Sequence, residues 1–462
     1  MELRISCKIK PELDPGFIPA AIWNRNFREL ADEKNGPSLL IGVERRDGTF
    51  SRYDTIILPH KKEYIDLNIK YVERIVKFLL WQKGGYKVLL SDKEITAIIS
   101  EIYSPDGSRT WDNDFMGDKV YSKEFSVEYC PAEKFPESKE TTSPLGRHLD
   151  GCRIGFDLGG SDRKCAAVID GKVVFSEEIK WNPYFEKDPS YHYNGINASL
   201  KSAAEHLPRV DAIGGSAAGV YVNNEVRIAS LFRGLAREDF DRTIKRIFFD
   251  LKKEWNDIPF EVVNDGEVTA LAASMSFNDN AILGLSMGTS FAAGYVTPEG
   301  NITPWLNELA FAPVDYRENG PIDEWSQDKG CGVQFFSQQA VARLAPLAGL
   351  EFDENMPFPE RLVEVQKLMA DGDERARKIY ETIGTCFGYS IAHYADFYEI
   401  RNLLILGRVT SGEGGEIIIQ KAEEVLKEEF PELAENISIR TPNEKDKRHG
   451  QAIAAASLAS IR

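Results

Sequence analysis

Apolar residues recur along this chain at two different spacings. In LNIKYVERIVKFLLWQKGG, residues Val72, Ile75, Val76, Leu79 and Leu80 return every three or four positions. That spacing predicts a helix, and Gly84-Gly85 can end it. Short apolar runs surround it: SLLIGVE and TIILP before, KVLL after. These predict strands, so the first part of the chain reads as a mixed α+β module. The aromatic and charged stretch IYSPDGSRTWDNDFMGDKVYSKEFSVEY predicts turns and hairpins and carries no catalytic pattern. Residues 131–150, PAEKFPESKETTSPLGRHLD, combine three prolines with Ser, Thr and mixed charge. They predict a linker, with residues 1–140 forming the module before it.

Beyond the linker, strand and helix patterns alternate, and one plan occurs twice. From Arg153 it runs strand, Gly159-Gly160-Ser161, strand, Asp170-Gly171, strand. From Ala281 it runs strand, Gly288-Thr289-Ser290, strand, Pro298-Glu299-Gly300, strand. Two similar lobes are predicted, over residues 152–280 and 281–462. In the opening strand Ile154, Phe156 and Leu158 share one face, and Gly155, Asp157 and Gly159 share the other. The second face is bare except for its acid. Bare backbone admits a ligand closely, and a glycine turn can aim amides at an anion. An acid beside phosphate is repulsive unless a cation sits between them, so Asp157 points to Mg²⁺. The alternative is an ordinary hairpin with Asp157 bonded to its turn.

Two further segments fit the same chemistry. In FEVVNDGEVTALAASM a strand reaches Asn264-Asp265 just before an alanine-rich helix. The bland reading is a helix cap. The functional reading is a ligand group at a strand's carboxyl end, where a carboxylate can accept the proton of an attacking hydroxyl. In LLILGRVTSGEGGEIIIQKAEEVL a strand runs through Gly407 and Gly412 into a helix, an arrangement that holds nucleotides at a helix start. It is neither GxGxxG nor a P-loop.

Taken in this order, the segments resemble the actin, hexokinase and heat-shock-chaperone ATPase superfamily. Within it they resemble the ROK family (repressors, unknown reading frames and sugar kinases) over residues 152–462. FDLGGSDRKCAAVIDGKVV is similar to that family's DLGGTK hairpin, with Ser161 for the usual Thr. DAIGGSAAGVYVNNEV resembles its GIG…PG.VD segment, VVNDGEVTALAA its NDAN helix start, LSMGTSFAAGYV its second phosphate loop, and HGQAIAAASLA its closing helix. The resemblance implies a two-lobed, ribonuclease-H-like α/β fold and ATP-dependent phosphorylation of a hexose or amino sugar. Asp265 becomes the catalytic base. Asn264, Glu308, Gly215, Ser216 and Trp305 surround the sugar. Gly159, Gly160, Ser161, Lys164, Gly288, Thr289 and Ser290 hold the phosphates of ATP, Gly407 and Gly412 the adenosine, and Asp157 the Mg²⁺.

Two departures stand out. The family's ExGH motif falls at Asn307–Phe311, with Glu308 kept and Phe311 in place of the histidine. Its zinc segment is reduced to DKGCGVQFFS, where Cys331 alone matches and Val333 or Gln334 replaces the glutamate. No structural zinc is expected, since such a site needs clustered ligands. The departures open a second reading, a catalytically inactive sugar or nucleotide sensor. A third is an ATPase that works on no sugar.

Composition narrows the rest. At 462 residues the chain is long enough for about three units of about 150 residues. A net charge of −17 argues against nucleic acid and anionic membrane as partners. No run reaches the roughly 18 apolar residues of a membrane span, and the N-terminus has no signal-peptide core. Six scattered cysteines suit a reducing, cytoplasmic setting. The first module has no helix-turn-helix signature. Covering the cleft, or self-association as a homodimer, are the tasks open to it.

Overall fold

The computed structural model describes residues 3–140, 145–441 and 444–461. Strands β1 (Ser38–Glu44), β2 (Phe50–Ile56), β3 (Lys87–Leu90) and β4 (Ser126–Tyr129) form the first sheet, in the order β2-β1-β3-β4. The predicted helix spans Ile65–Lys83 and ends at Gly84, whose φ of 71° suits glycine. Its pattern suggests one apolar stripe, yet nearly every side is buried, including Glu73, Arg74, Lys77 and Gln82. A helix covered all round lies between two layers. Here one layer is the first sheet and the other belongs to the far end of the chain. The expected hairpins after Ile102 are absent. Thr110–Asp114 and Phe115–Tyr121 are helical instead, which turns Trp111 and Phe115 onto Trp81 at 5.1 and 4.8 Å.

The first lobe is a five-stranded sheet, ordered β11-β8-β5-β6-β7. It comprises β5 (Cys152–Leu158), β6 (Asp162–Ile169), β7 (Lys172–Lys180), β8 (Ala212–Ala217) and β11 (Phe260–Asn264). A small hairpin, β9 (Val220–Val222) and β10 (Glu225–Ile228), stands beside it. The first three strands run antiparallel, and β8 and β11 run parallel to β5. The second lobe repeats the opening with β12 (Ile282–Met287), β13 (Phe291–Val296), β14 (Asn402–Leu406) and β15 (Ser438–Arg440), ordered β13-β12-β14-β15. The strand expected after Pro298-Glu299-Gly300 shrinks to one bridge, Val296 with Ile302. The molecule is a two-lobed ribonuclease-H-like α/β fold with an extra N-terminal α+β module.

The bare face of β5 has a different use from the one its parity suggests. A Cβ on Gly155 would collide with the backbone of Ala452, and one on Gly214 with that of Ala455. The glycines make room for the closing helix Glu444–Ala456, not for a ligand. On the opposite face a Cβ on Gly215 would strike the Phe156 ring.

Packing joins the module to the second lobe. One continuous core runs from Phe27, Tyr71 and Trp81 through Leu283, Phe291 and Phe335 to Tyr394 and Val425. The first lobe has a separate core around Phe156, Ile213, Phe248 and Val262. Backbone bonds also cross into the second lobe: Ala20 N–H to Val314 C=O at 3.0 Å and Tyr316 N–H to Ile18 C=O at 2.9 Å. The expected linker is tied down where it is described. Lys139 pairs with Phe50, and Glu140 accepts from Arg45 at 2.8 Å and Trp305 at 2.9 Å. Its residues 141–144 lie outside the described ones. No described helix is long and apolar enough to cross a membrane.

Candidate active site

Parallel pairing sets the carboxyl ends of β5, β8 and β11 side by side, with Asp157 opposite Ser216 and Ser216 opposite Val263. The Ser216 hydroxyl donates to Asp157 Oδ1 at 2.7 Å. Ser216 is fully buried, so its part is to hold Asp157. Gly215, expected at the sugar, faces the core and presents nothing to the cleft.

Asn264 caps the helix Asp265–Phe277: its Oδ1 accepts from Gly266 N–H at 2.7 Å, and its Nδ2 donates to Gly219 C=O at 2.8 Å. Asp265 shares the same donor, its Oδ1 accepting from Gly266 N–H at 3.0 Å. The helix start lies at the seam of the lobes. A Cβ on Gly266 would collide with Ala293 of β13, and one on Gly294 with Gly266. Two glycines thus let a helix start meet a strand backbone. Neither was singled out from sequence, where a lone glycine in a strand or helix is a weak signal.

Three carboxyls converge at this seam. Burial pushes Asp157 above the ordinary aspartate value, against the Ser216 hydrogen bond. Burial raises Asp265 to about 6, with the Asp157 charge adding to it. Burial raises Glu308 to about 7, with the Asp265 charge adding to it. Asp265 feels Asp157 and Glu308 feels Asp265, so neighbours in this series lie within electrostatic reach. A linked set of raised carboxyls where the two lobes meet is a physical mark of a candidate reactive site.

Glu308 is positioned by the N-terminal module. Asn307 and Glu308 donate their N–H groups to Gln82 and Trp81 carbonyls, both at 2.9 Å. Asn307 has a φ of 50°. Its Nδ2 donates to Glu267 Oε1 at 2.7 Å, and its Oδ1 accepts from the Tyr398 hydroxyl at 2.8 Å. Phe311, where the resemblance leads one to expect a histidine, packs at a tilt into the module's aromatic cluster, 4.6 Å from Trp81 and 5.0 Å from Trp111.

The segment around Cys331, which the resemblance sets beside a zinc site, is braced by charge. Asp328 meets Arg74 at 3.1 Å, Lys77 at 3.0 Å and Arg109 at 2.6 Å. Glu73 and Asp112 complete the charge balance from within the module. Burial would raise Asp328, yet Arg74 and Lys77 together hold it below the ordinary value. Cys331 lies 3.9 Å from Asp328, and burial pushes its thiol up. These residues do not fit zinc: the single thiol is held protonated and its nearest carboxylate is taken by three cations.

The glycine turns are arranged as follows. Gly159 N–H bonds to Asp162 C=O at 2.9 Å, and Trp181 Nε1 donates to Gly159 C=O at 2.7 Å. Gly160 lies against Tyr184. The Ser161 hydroxyl donates to Asp162 at 2.8 Å, and Lys164 sits 3.4 Å from Asp162, across the strand pair from Asp157. Thr289 and Ser290 are exposed, and an added Cβ on Gly288 would meet nothing closer than 3.9 Å. Gly407 abuts Met287, which brings the third loop to the second. Gly412, with a φ of 73°, opens the helix Glu413–Glu429 into free space. Trp305 stands apart from these loops. It stacks on Tyr295 at 5.4 Å, with Lys83 Nζ 3.0 Å from its ring centre.

No protein-family model and no curated protein matches the chain. Solved structures do. A ROK hexokinase from Thermus thermophilus aligns with a TM-score of 0.53 at 17% identity, over 67% of this chain and 97% of that one. A ROK family transcriptional regulator, described as a homologue of the E. coli MLC protein, aligns with a TM-score of 0.52 at 18% identity, over 67% of this chain and 79% of that one.

Proposed function

On a chain that carries the ROK-family fold, we propose ATP-dependent phosphorylation of a sugar hydroxyl, on a hexose or amino sugar, in the cytoplasm. The observation that carries this reading is the row Asp157–Asp265–Glu308 at the seam of the lobes. Asp265, with its pKa near 6, is ionised at neutral pH yet basic enough to take a proton from a hydroxyl. Glu308, near 7, can both donate to and accept from a sugar hydroxyl. Its loop is fixed by Trp81 and Gln82, so the sugar meets a preset carboxyl.

Asp157 fits Mg²⁺, because Ser216 engages only its Oδ1 and it stands at the carboxyl end of β5. When bound with ATP, that ion supplies neutralisation of phosphate charge. Open backbone at Gly288 and Gly412, with the exposed hydroxyls of Thr289 and Ser290, suits phosphate and adenosine contacts.

The test is a coupled assay over hexoses and amino sugars with Asp265→Asn. Turnover should fall roughly 10²–10⁴-fold, the size of a lost general base, with sugar affinity kept. Unchanged turnover removes Asp265 from the role.

A sensor without turnover is the second reading. Phe311 at the histidine position and the fully engaged amide of Asn264 favour it, and so does the regulator that shares the fold. Calorimetry separates the two: a sensor gives saturable sugar binding with no product in any combination with ATP.

A further inference from the structure

A cavity of about 210 Å³ lies away from the carboxylate row, where the N-terminal module meets the first lobe. The module supplies Asp118, Lys119 and Ser122, and the first lobe supplies Arg227, Arg237 and Lys245. None of the residues assigned above to sugar, ATP or Mg²⁺ lines it.

The two walls belong to bodies that pack separately. The module shares its core with the second lobe, and the first lobe keeps its own. Arg227 crosses this joint: it is 6% exposed, its Nη1 donates to Glu225 at 2.8 Å, and its Nη2 donates to the Ser122 hydroxyl. The module's wall has an uncommon backbone. Phe115–Tyr121 is a π-helical turn, and Ser122 ends it with a φ of 50°. Such turns are rare and recur at functional sites. This one carries Lys119 and leads into Ser122 on the cavity wall.

Charge decides what the cavity can hold. Glu225 is divided among three cations, with Arg227 at 2.8 Å, Arg46 at 3.8 Å and Lys245 at 4.0 Å. Arg237 has Asp241 at 2.8 Å, and Lys119 has Asp114 at 2.7 Å. With Asp118 included, four carboxylates stand against these five cations. The whole chain carries 73 acidic and 56 basic side chains, so a positive excess here runs against its average. Lysines on opposite walls, with a hydroxyl and an arginine beside them, suit an oxyanion with several acceptor oxygens. Sites for drug-sized ligands run to about 300–1,000 Å³. The smaller volume here admits a phosphate group and excludes a nucleotide.

We propose that this cavity binds a phosphate group, free or carried by a small metabolite, and that the bound anion ties the module to the first lobe. Lys119 meets it from the module, and Arg237 and Lys245 meet it from the lobe. An anion that contacts both walls binds best when the walls are together, so its occupancy favours that arrangement. The site goes beyond the kinase reading and does not rest on it.

Calorimetry on the full chain with inorganic phosphate and with glucose 6-phosphate tests this. At least one should bind in a mode that Lys119→Gln and Lys245→Gln each weaken about tenfold, the loss of one charge-assisted hydrogen bond. Thr289→Ala and Glu308→Ala should each leave that mode within threefold. Tighter binding of inorganic phosphate makes the free anion the ligand, and tighter binding of glucose 6-phosphate makes it a phosphorylated metabolite; both outcomes support the site. Amide hydrogen exchange with saturating anion should slow in Phe115–Tyr121 and in Arg237–Arg242 together. Both lysine side chains are partly exposed, so glutamine is accommodated, and thermal melts check the fold. Binding that follows Thr289 or Glu308 and ignores both lysines overturns the site, as does binding of neither anion. Slowed exchange on one wall alone overturns the tie. Product formation has no part in these readouts, so a failed kinase assay counts against the kinase reading only.

Discussion

The two lobes open alike and are stabilised differently. β5–β6 and β12–β13 are both hairpins with a glycine–hydroxyl turn, each continued by a parallel strand. The first lobe closes on its own core and on the helix Glu444–Ala456, which fits against Gly155 and Gly214. The second lobe has no such independence. It lacks a full third strand, and its core continues into the N-terminal module. The module therefore substitutes for parts that the resemblance leads one to expect within the lobe itself. Trp81 and Gln82 hold the Glu308 loop, Phe311 anchors where a histidine is expected, and three module cations grip Asp328 where zinc ligands are expected.

The largest effect should come from the charge cluster. Asp328→Ala leaves Arg74, Lys77 and Arg109 with two carboxyls for three buried or half-buried cations. Removing one partner of a buried ion network costs about 3–5 kcal/mol. Chemical denaturation measures the loss. Amide hydrogen exchange tells which lobe suffers: protection should fall in β12 and β14 and in the helix Ile65–Lys83 while β5 and β8 keep theirs. Equal loss in both lobes would show that the cores are not separate. Phe311→Ala should cost less, about 2–3 kcal/mol, because the ring is half-buried. Its sharper readout is KM. The sugar constant should rise several-fold as the Glu308 loop loosens, with turnover on saturating sugar changed less.

Much of this arrangement is legible in the chain and some is not. The helix Ile65–Lys83 and the two hairpins follow from apolar period and glycine position. The pattern does not reveal that the helix is buried all round, because Glu73, Arg74 and Lys77 look like a solvated face until Asp328, 254 positions after Arg74, is folded against them. The glycines of β5 are visible, but their reason is not: a ligand and a packed helix demand the same bare backbone. Ser216 reads as a cleft residue from its neighbours, yet register turns its hydroxyl to Asp157. Asn307 and Glu267 lie within segments that resemble family motifs, but the resemblance gives neither a role. Their pairing depends on a backbone turn with positive φ that local sequence does not announce.

A pH dependence should appear at the joint between the lobes. Glu267 begins on the first lobe's helix and bonds to Asn307 of the second. Burial raises it to about 8, opposed by that hydrogen bond, so the fold favours its protonated form. Its contribution is complete below the ordinary glutamate value, near 4.3, and is lost as pH rises through 8. Glu308, near 7, and Asp265, near 6, act in the same direction. Melting temperature should therefore decline between pH 5 and 9, and Glu267→Gln should flatten the upper part of the decline. Parallel profiles for the two proteins would dissociate Glu267 from the joint. Turnover should run the other way, rising through pH 6 as Asp265 ionises. Catalysis asks the seam for a charge that folding disfavours. The module's grip on the Glu308 loop offsets that conflict, so weakening the grip by Phe311→Ala should steepen the loss of stability at high pH.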